Sequence, residues 1–114
     1  MLVALFAGIY VSDYAVAKEW YVRLLGAEPR FFPNDIEAVW ELAGDRSIYI
    51  RLQPDDAGHS VVTVFVDDLD DWITGIAARG IEPASRETYD NGVRKITFRD
   101  PDGNEIGFGG GPAE

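Results

Sequence analysis

The chain has 114 residues, no cysteine, and 20 acidic against 10 basic residues, which gives a net charge of −10. A chain of this length forms one domain, and the absence of cysteine excludes disulfides and thiolate chemistry and suits the reducing cytoplasm, where we expect the protein. The charge repels nucleic acid, and no apolar stretch approaches the ~20 residues of a membrane-spanning helix, so neither nucleic acid nor a membrane is an expected partner.

The first predicted element is a strand within MLVALFAGIYV, a segment that lacks the basic start and the cleavage site of a signal peptide. Side chains alternate between the two faces of a strand. One face of this strand is aliphatic and consists of Leu5, Ala7, Ile9 and Val11, whereas the opposite face consists of Phe6, Gly8 and Tyr10. We expect a helix to cover the aliphatic face.

A helix is predicted next, in VSDYAVAKEWYVRLLGAEP (11–29). Asp13 is the expected N-cap, Gly26 fits the left-handed position that closes a helix, and Pro29 prevents its continuation. The apolar residues recur at helical spacing and are Ala17, Trp20, Tyr21, Leu24 and Leu25. An extended stretch (30–33) and the strands EAVWELA and RSIYIRLQ follow, separated by the turn GDR.

The same order of elements returns after the turn-rich segment QPDDAGHS (53–60). In the strand SVVTVFV one face consists of Val62, Val64 and Val66, and the other of Val61, Thr63 and Phe65. Asp68, Gly80 and Pro83 repeat the helix signals, and the predicted buried helix face consists of Leu69, Trp72, Ile73, Ile76 and Ala77. An extended stretch (83–89) and the strands GVRKITFRD and NEIGFGG complete the repeat.

The chain is therefore predicted to be a single domain (1–114) made of two modules, 1–53 and 61–114, joined by a linker at 54–60. Each module has the order strand, helix, strand, strand, strand. Because the helices should cover the aliphatic faces, the mixed aromatic and polar faces are left to form a concave surface. A small molecule would bind on that surface.

The chain resembles the vicinal oxygen chelate superfamily, which contains glyoxalases, extradiol dioxygenases, fosfomycin-resistance enzymes and bleomycin-resistance proteins. The residues that carry the resemblance are Ile9-x-Val11-x-Asp13, Trp20-Tyr21 with Leu25-Gly26, Val66-Asp67-Asp68-Leu69 with Gly80, and FRDPDGNEIGF. The resemblance implies an α+β fold in which two tandem βαβββ modules form a half-open β-barrel, usually within a homodimer. In the catalytic branches a divalent metal lies inside the barrel.

The resemblance also implies where the metal ligands stand. Catalytic branches take a His on the first strand, a His at the start of the fifth strand and a Glu on the last strand. Counted from the matching motifs, these positions are Phe6, Val61 and Gly107 here. None of the three offers a side-chain lone pair, so the usual metal centre is not expected and no cofactor is implied.

A displaced metal site remains an alternative. His59 and Glu105 each lie two residues before an expected ligand position, and with Glu41 they could bind Ni, Mn, Fe or Zn. The simpler interpretation makes His59 an exposed loop residue and Glu105 an exposed carboxylate at a strand start. Arg51 would then either pair with Glu41 or Glu105 or bind a ligand carboxylate.

Candidate ligand-binding residues are those expected on the concave surface: Phe6, Tyr10, Trp40, Tyr49, Arg51, Phe65, Glu105 and Gly107. The pattern does not decide which side of the strand EAVWELA is concave, so it assigns Trp40 to neither face. The favoured hypothesis is a metal-independent binding protein that sequesters an aromatic or cationic compound. The alternatives are a metal-dependent lyase, isomerase or dioxygenase with displaced ligands, and a non-catalytic scaffold domain. The homodimer could be side by side or domain-swapped.

Overall fold

The computed structural model describes residues 1–112, and within them the helices and strands follow the predicted order. The first module contains β1 (Leu5–Val11), α1 (Tyr14–Leu25), β2 (Phe31–Asn34), β3 (Glu37–Ala43) and β4 (Arg46–Leu52). After a 3₁₀ turn (Pro54–Asp56), the second contains β5 (Val61–Phe65), α2 (Leu69–Ala78), β6 (Ser85–Thr88), β7 (Arg94–Arg99) and β8 (Glu105–Gly110). The α+β fold with its βαβββ repeat is confirmed. The last two residues of the predicted second module (61–114) lie outside the described residues.

Each module forms a four-stranded mixed sheet with the same topology. The strand orders are β1-β4-β3-β2 and β5-β8-β7-β6. In each sheet the first strand pairs in parallel with the last one, and the other pairs are antiparallel. A parallel pair needs a crossover connection, which the helix and the two intervening strands provide. Strands β1 and β5 are therefore edge strands.

The predicted alternation is confirmed along β5 and in most of β1, but Leu5, predicted on the covered face, is 57% exposed at the start of β1. Ile9 and Val11 are fully buried, whereas Phe6 is 51% and Tyr10 is 37% exposed on the opposite face. In β5 the face with Val62 and Val64 packs against the core, and the face with Val61 and Phe65 is exposed. Each sheet thus buries one face under a helix and leaves the other uncovered in the single chain.

Both modules contribute to one hydrophobic core. All five predicted apolar residues of α1 are buried: Ala17, Trp20, Tyr21, Leu24 and Leu25. Ile50 and Ala38 join them from the first sheet, and Ile106 and Phe108 from the second. Within residues 1–112, neither helix is long and apolar enough to cross a membrane.

Two details of α2 differ from the prediction. Asp13 caps α1 as expected, accepting a hydrogen bond from Val16 N at 3.1 Å, but the side chain of Asp68 caps nothing. The backbone of Asp68 has ψ 47°, against 106° at Asp13, and does not aim the carboxylate at the helix N–H groups. Ala77 is exposed rather than buried, because the buried stripe of α2 is narrow and has Leu69 and Ile76 at its centre.

The DPDGN turn connects the two modules through a buried hydrogen-bond network. Asn104 is fully buried, and its Oδ1 accepts from the backbone N–H groups of Gly58 at 3.1 Å and Ser60 at 2.9 Å. Its Nδ2 donates to the carbonyl of Tyr10 at 2.9 Å and to Asp100 Oδ2 at 2.8 Å. One amide side chain therefore ties the end of β1 to the segment before β5 and to the turn before β8.

Tyr21 joins this network and gives it a pH dependence. Its hydroxyl donates to Asp100 Oδ2 at 2.8 Å. Burial, followed by the negative charge of Asp100 and the hydrogen bond to it, raises the pKa of Tyr21 far above the usual 10.0. The folded protein therefore keeps Tyr21 neutral at a pH where the unfolded chain ionises it.

We expect stability to fall with rising pH above about 10, because Tyr21 ionises only in the unfolded state. The loss should approach about 1.4 kcal/mol per pH unit. Denaturant unfolding of the wild type and Tyr21→Phe at pH 9, 10 and 11 measures it. The stability advantage of the wild type over Tyr21→Phe should shrink between pH 10 and 11. A constant difference would contradict the assignment.

Candidate functional site

The uncovered faces of the two sheets are built from matching rows of residues paired in register. In the first module the rows are Phe6–Ser47–Glu41, Gly8–Tyr49–Val39 and Tyr10–Arg51–Glu37. In the second module they are Val61–Glu105–Arg99, Thr63–Gly107–Thr97 and Phe65–Gly109–Lys95. The rows correspond one to one, because β4 and β8 hold the central position in each. Gly107 is thus the counterpart of Tyr49.

The positions expected to hold metal ligands carry no donor in this arrangement. Phe6 is 51% and Val61 66% exposed, and both side chains are hydrocarbon. Gly107 is buried on β8 and has no side chain. Within residues 1–112, no three His, Asp or Glu side chains are grouped so that they could hold a metal ion. The chemistry of these positions does not fit the superfamily's metal centre.

The displaced ligand set is not brought together in one chain. Glu41 lies on β3 of the first sheet and forms an ion pair with Arg30 at 3.8 Å. Glu105 lies on β8 of the second sheet and pairs with Arg99 at 2.7 Å. His59 is exposed in the segment before β5. Both carboxylates therefore have cationic partners and belong to different sheets.

Arg51 faces the uncovered side, as predicted, but with a different partner. Its Nη1 lies 3.6 Å from Glu37 Oε1, and Glu37 is its direct neighbour across β3. The predicted partners, Glu41 and Glu105, were wrong, because Glu41 is four residues further along β3 and Glu105 is in the other sheet. The ion pair leaves Arg51 partly exposed in the middle of its row, between Tyr10 and Glu37.

The aromatic candidates divide between the surface and the core. Phe6, Tyr10 and Phe65 are exposed on the uncovered faces. The ring of Tyr49 lies over Gly8, where a Cβ atom would come within 2.7 Å of the Tyr49 Cζ and Oη atoms. Trp40 lies on the helix side, 2% exposed.

Two contacts fix Trp40 in the core. Its Nε1 donates to the carbonyl of Ala27 at 2.9 Å, and its ring packs on Tyr21 with centroids 5.9 Å apart. Trp40 therefore does not lie on the uncovered face of the first sheet, which carries Tyr49.

The space beside Gly107 is filled by a residue that the sequence analysis did not single out. A Cβ atom on Gly107 would lie 2.8 Å from Lys95 Cε and 3.6 Å from Thr63 Oγ1. A Cβ on Gly109 would lie 3.0 Å from the ring of Phe65. Lys95 and Phe65 therefore lie over Gly107 and Gly109 of β8, respectively. The period-two pattern of β7, which puts Lys95, Thr97 and Arg99 on one face, was the available signal.

Two glycine substitutions on β8 should differ in how much they lower the free energy of unfolding. In Gly107→Ala the new methyl meets the flexible end of Lys95, which can move aside, so we expect a change within about 0.5 kcal/mol. In Gly110→Ala the methyl meets Leu69 Cβ at 2.7 Å, where α2 packs on the sheet, and overpacking should cost about 2 kcal/mol. Denaturant unfolding of the two variants checks this, and equal losses would contradict it.

A cleft of about 910 Å³ separates the edge strands β1 and β5. Its walls are mainly aliphatic and include Ala7, Ile48, Val62 and Val64, with Trp72 from α2 also lining it. The sequence pattern did not predict the cleft, because the pattern assigns faces within a strand and not the distance between two sheets.

The βαβββ repeat and the uncovered sheet faces are those of the Glyoxalase/Bleomycin resistance protein/Dioxygenase superfamily. The chain belongs to this superfamily, whose family model matches residues 3–108. The chain is 51% identical to a glyoxalase/bleomycin resistance protein from Catenulispora acidiphila DSM 44928. The TM-score is 0.94, and the alignment covers 97% of this chain and 100% of that chain.

More distant structures show the same fold. A bleomycin-binding protein complexed with bleomycin is 19% identical with a TM-score of 0.74, covering 96% of this chain and 98% of that chain. TnmS3, an antibiotic-binding protein from Streptomyces sp. CB03234, is 23% identical with a TM-score of 0.73, covering 99% and 98%. No curated protein is significantly similar to the chain.

Proposed function

We propose that the protein binds a small aromatic compound without a metal ion and sequesters it rather than converting it. The observation that carries this proposal is the chemistry at Phe6, Val61 and Gly107, the three positions where the catalytic branches are expected to hold their metal. Phenyl, isopropyl and hydrogen groups donate no electron pair to a cation. The pairing of Glu41 and Glu105 with arginines supports the same conclusion.

The uncovered faces are suited to an aromatic guest. Phe65 is 67% and Phe6 51% exposed, and exposed apolar patches on a sheet face mark sites where a ligand or a partner binds. Stacking between rings adds to the burial of apolar area. The net charge of −10 draws cationic compounds at long range, and exposed rings can bind them through cation–π contacts.

A second copy of the chain is the proposed cover for the remainder of these faces, in a cytoplasmic homodimer. The support is the exposed aromatic residues on both sheets and the cysteine-free composition. Two structural neighbours are named for the compounds they bind, bleomycin in one case and an antibiotic in the other. Their fold supports a binding role for this chain as well.

The first arm of the test is calorimetric titration of the metal-free protein with Ni²⁺, Mn²⁺, Fe²⁺ and Zn²⁺. We expect no stoichiometric uptake. Stoichiometric binding that Glu105→Gln abolishes, while Glu82→Gln at an exposed position does not, would overturn the metal-independent proposal in favour of a displaced site.

The second arm titrates the protein with 2-naphthamide, a neutral aromatic probe. We expect Phe65→Ala to weaken the affinity about tenfold, because the ring contact and its apolar area are lost. Phe32→Ala is the matched control, since Phe32 is also exposed but lies beside Lys18 of α1, on the helix side. Equal effects of the two substitutions, or no binding by the wild type, would contradict the proposed surface.

A further inference from the structure

The side chain of Lys95 points away from its acidic neighbour on the adjacent strand. Its neighbour across β6 is Glu87, yet no ion pair forms between them, and Glu87 Oε2 instead accepts from the hydroxyl of Tyr89 at 3.3 Å. The stem of Lys95 runs the other way, over Gly107, with Cε 2.8 Å from the point where a Cβ would be. Lys95 is therefore directed toward β8 and β5, at the centre of the uncovered face.

The other cations on the two faces have acidic partners. Arg51 pairs with Glu37 at 3.6 Å, and Arg99 with Glu105 at 2.7 Å. Lys95 belongs to none of the ion pairs formed among residues 1–112. Its row contains Gly109 on β8, Phe65 on β5 and, on the outer side, Glu87 of β6, with which Lys95 forms no ion pair. A half-buried lysine without an ion-pair partner among residues 1–112 thus extends over the central strand β8 of the second sheet.

The absence of a side chain at Gly107 leaves the space in which the Lys95 stem lies. Because any side chain at 107 would meet the stem of Lys95, the glycine makes room for the lysine. The hydroxyl-bearing residues Thr63 and Thr97 lie on either side of Gly107 in register and can donate hydrogen bonds. The position where the resemblance places a metal-binding carboxylate is therefore occupied by a cationic side chain and flanked by hydroxyl groups.

We propose that Lys95 makes this surface selective for aromatic compounds that carry a carboxylate or a similar anionic group. The inference rests on the proposed binding function and specifies its ligand. The net charge of −10 acts on approach, but salt screens charges beyond about 8 Å at physiological ionic strength. At contact a nearby charge decides between ligands, and the charged side chain that reaches Gly107 is Lys95. The anionic group of the ligand would bind to the Lys95 ammonium while the ring of the ligand stacks on Phe65.

Three probes with one ring system test the proposal: 2-naphthoate, neutral 2-naphthamide and cationic 2-naphthylmethylammonium. We expect the wild type to bind 2-naphthoate roughly fivefold or more tightly than 2-naphthamide by calorimetry. Lys95→Met keeps a stem over Gly107 and should reduce this ratio to about one, whereas Lys95→Arg should keep most of it. Thermal unfolding of each variant verifies that the fold is retained.

The control variant is Arg86→Met, which removes the same charge from the neighbouring strand. Arg86 is exposed and pairs in register with Ile96, whose side chain is buried on the helix side, so the ratio should not change. Equal binding of all three probes, an unchanged ratio in Lys95→Met, or tightest binding of the ammonium probe would overturn the Lys95 inference alone. If none of the three probes binds, the proposed function fails and the inference fails with it.

Discussion

Replacing Asn104 with alanine should destabilise the protein by about 3 kcal/mol, because four hydrogen-bonded groups lose their partner at once. The backbone N–H groups of Gly58 and Ser60 lose their acceptor, and the carbonyl of Tyr10 and the carboxylate of Asp100 lose a donor. Buried groups without partners keep their full desolvation cost, and the side chain is fully buried. Urea unfolding followed by circular dichroism measures the loss.

Asn91→Ala is the matched control for this prediction. Asn91 also uses its Oδ1 to accept a backbone hydrogen bond, from Val93 N at 3.0 Å, but in an exposed turn. Water can replace the lost acceptor there, so we expect a cost within about 1 kcal/mol. Similar losses in the two variants would mean that the Asn104 network contributes no more than an ordinary turn hydrogen bond. The connection between the modules would then have to come from the apolar core.

The elements that the sequence predicted best are those whose signals are local. Helix α1 begins after the capping Asp13 and ends at Gly26, which has φ 72°, and its buried residues follow the helical period. The faces of β1 and β5 follow from alternation. The repeat of these signals predicted the order of elements in both modules, and the resemblance to the superfamily implied the fold that they form.

Errors arose where the answer depends on contacts between elements. Nothing in the sequence of α2 says that Ala77 is exposed, since its exposure depends on how narrowly α2 contacts the sheet and α1. The partner of Arg51 depends on the register between β3 and β4, which the period-two pattern does not specify. Once the register is known, Glu37 is the only acidic residue in the row of Arg51 among its paired neighbours on β1 and β3.

The sequence predicted where the candidate site lies but not which side chains fill it. The sequence located Phe6, Val61 and Gly107 as positions without ligands, and it placed Tyr49 and Arg51 on the uncovered face. It did not anticipate what fills the space at Gly107, because a glycine carries no signal about its neighbour. The contact of Lys95 with Gly107 follows only from the pairing of β7 with β8. In that pairing Lys95 lies opposite Gly109, and its stem reaches Gly107.

Trp40→Ala should lower the free energy of unfolding by about 4 kcal/mol, since it removes a large side chain that is 2% exposed. The loss combines the apolar area, the cavity beside Tyr21, and the hydrogen bond that Ala27 receives from Nε1. Tyr49→Ala should cost no more than about 2 kcal/mol, because its ring is only half-buried over Gly8. Denaturant unfolding compares the two variants directly.

Binding separates the roles of the two residues, which the sequence pattern could not. Trp40→Phe keeps most of the ring in the core and loses the hydrogen bond to Ala27, so we expect a smaller loss of stability, about 1.5 kcal/mol, and unchanged affinity for 2-naphthamide. Tyr49→Ala should weaken that affinity, because Tyr49 lies on the uncovered face. If Trp40→Phe instead weakened binding without lowering stability, Trp40 would belong to the ligand surface. The helix side, next to the cleft between β1 and β5, would then be the side that binds.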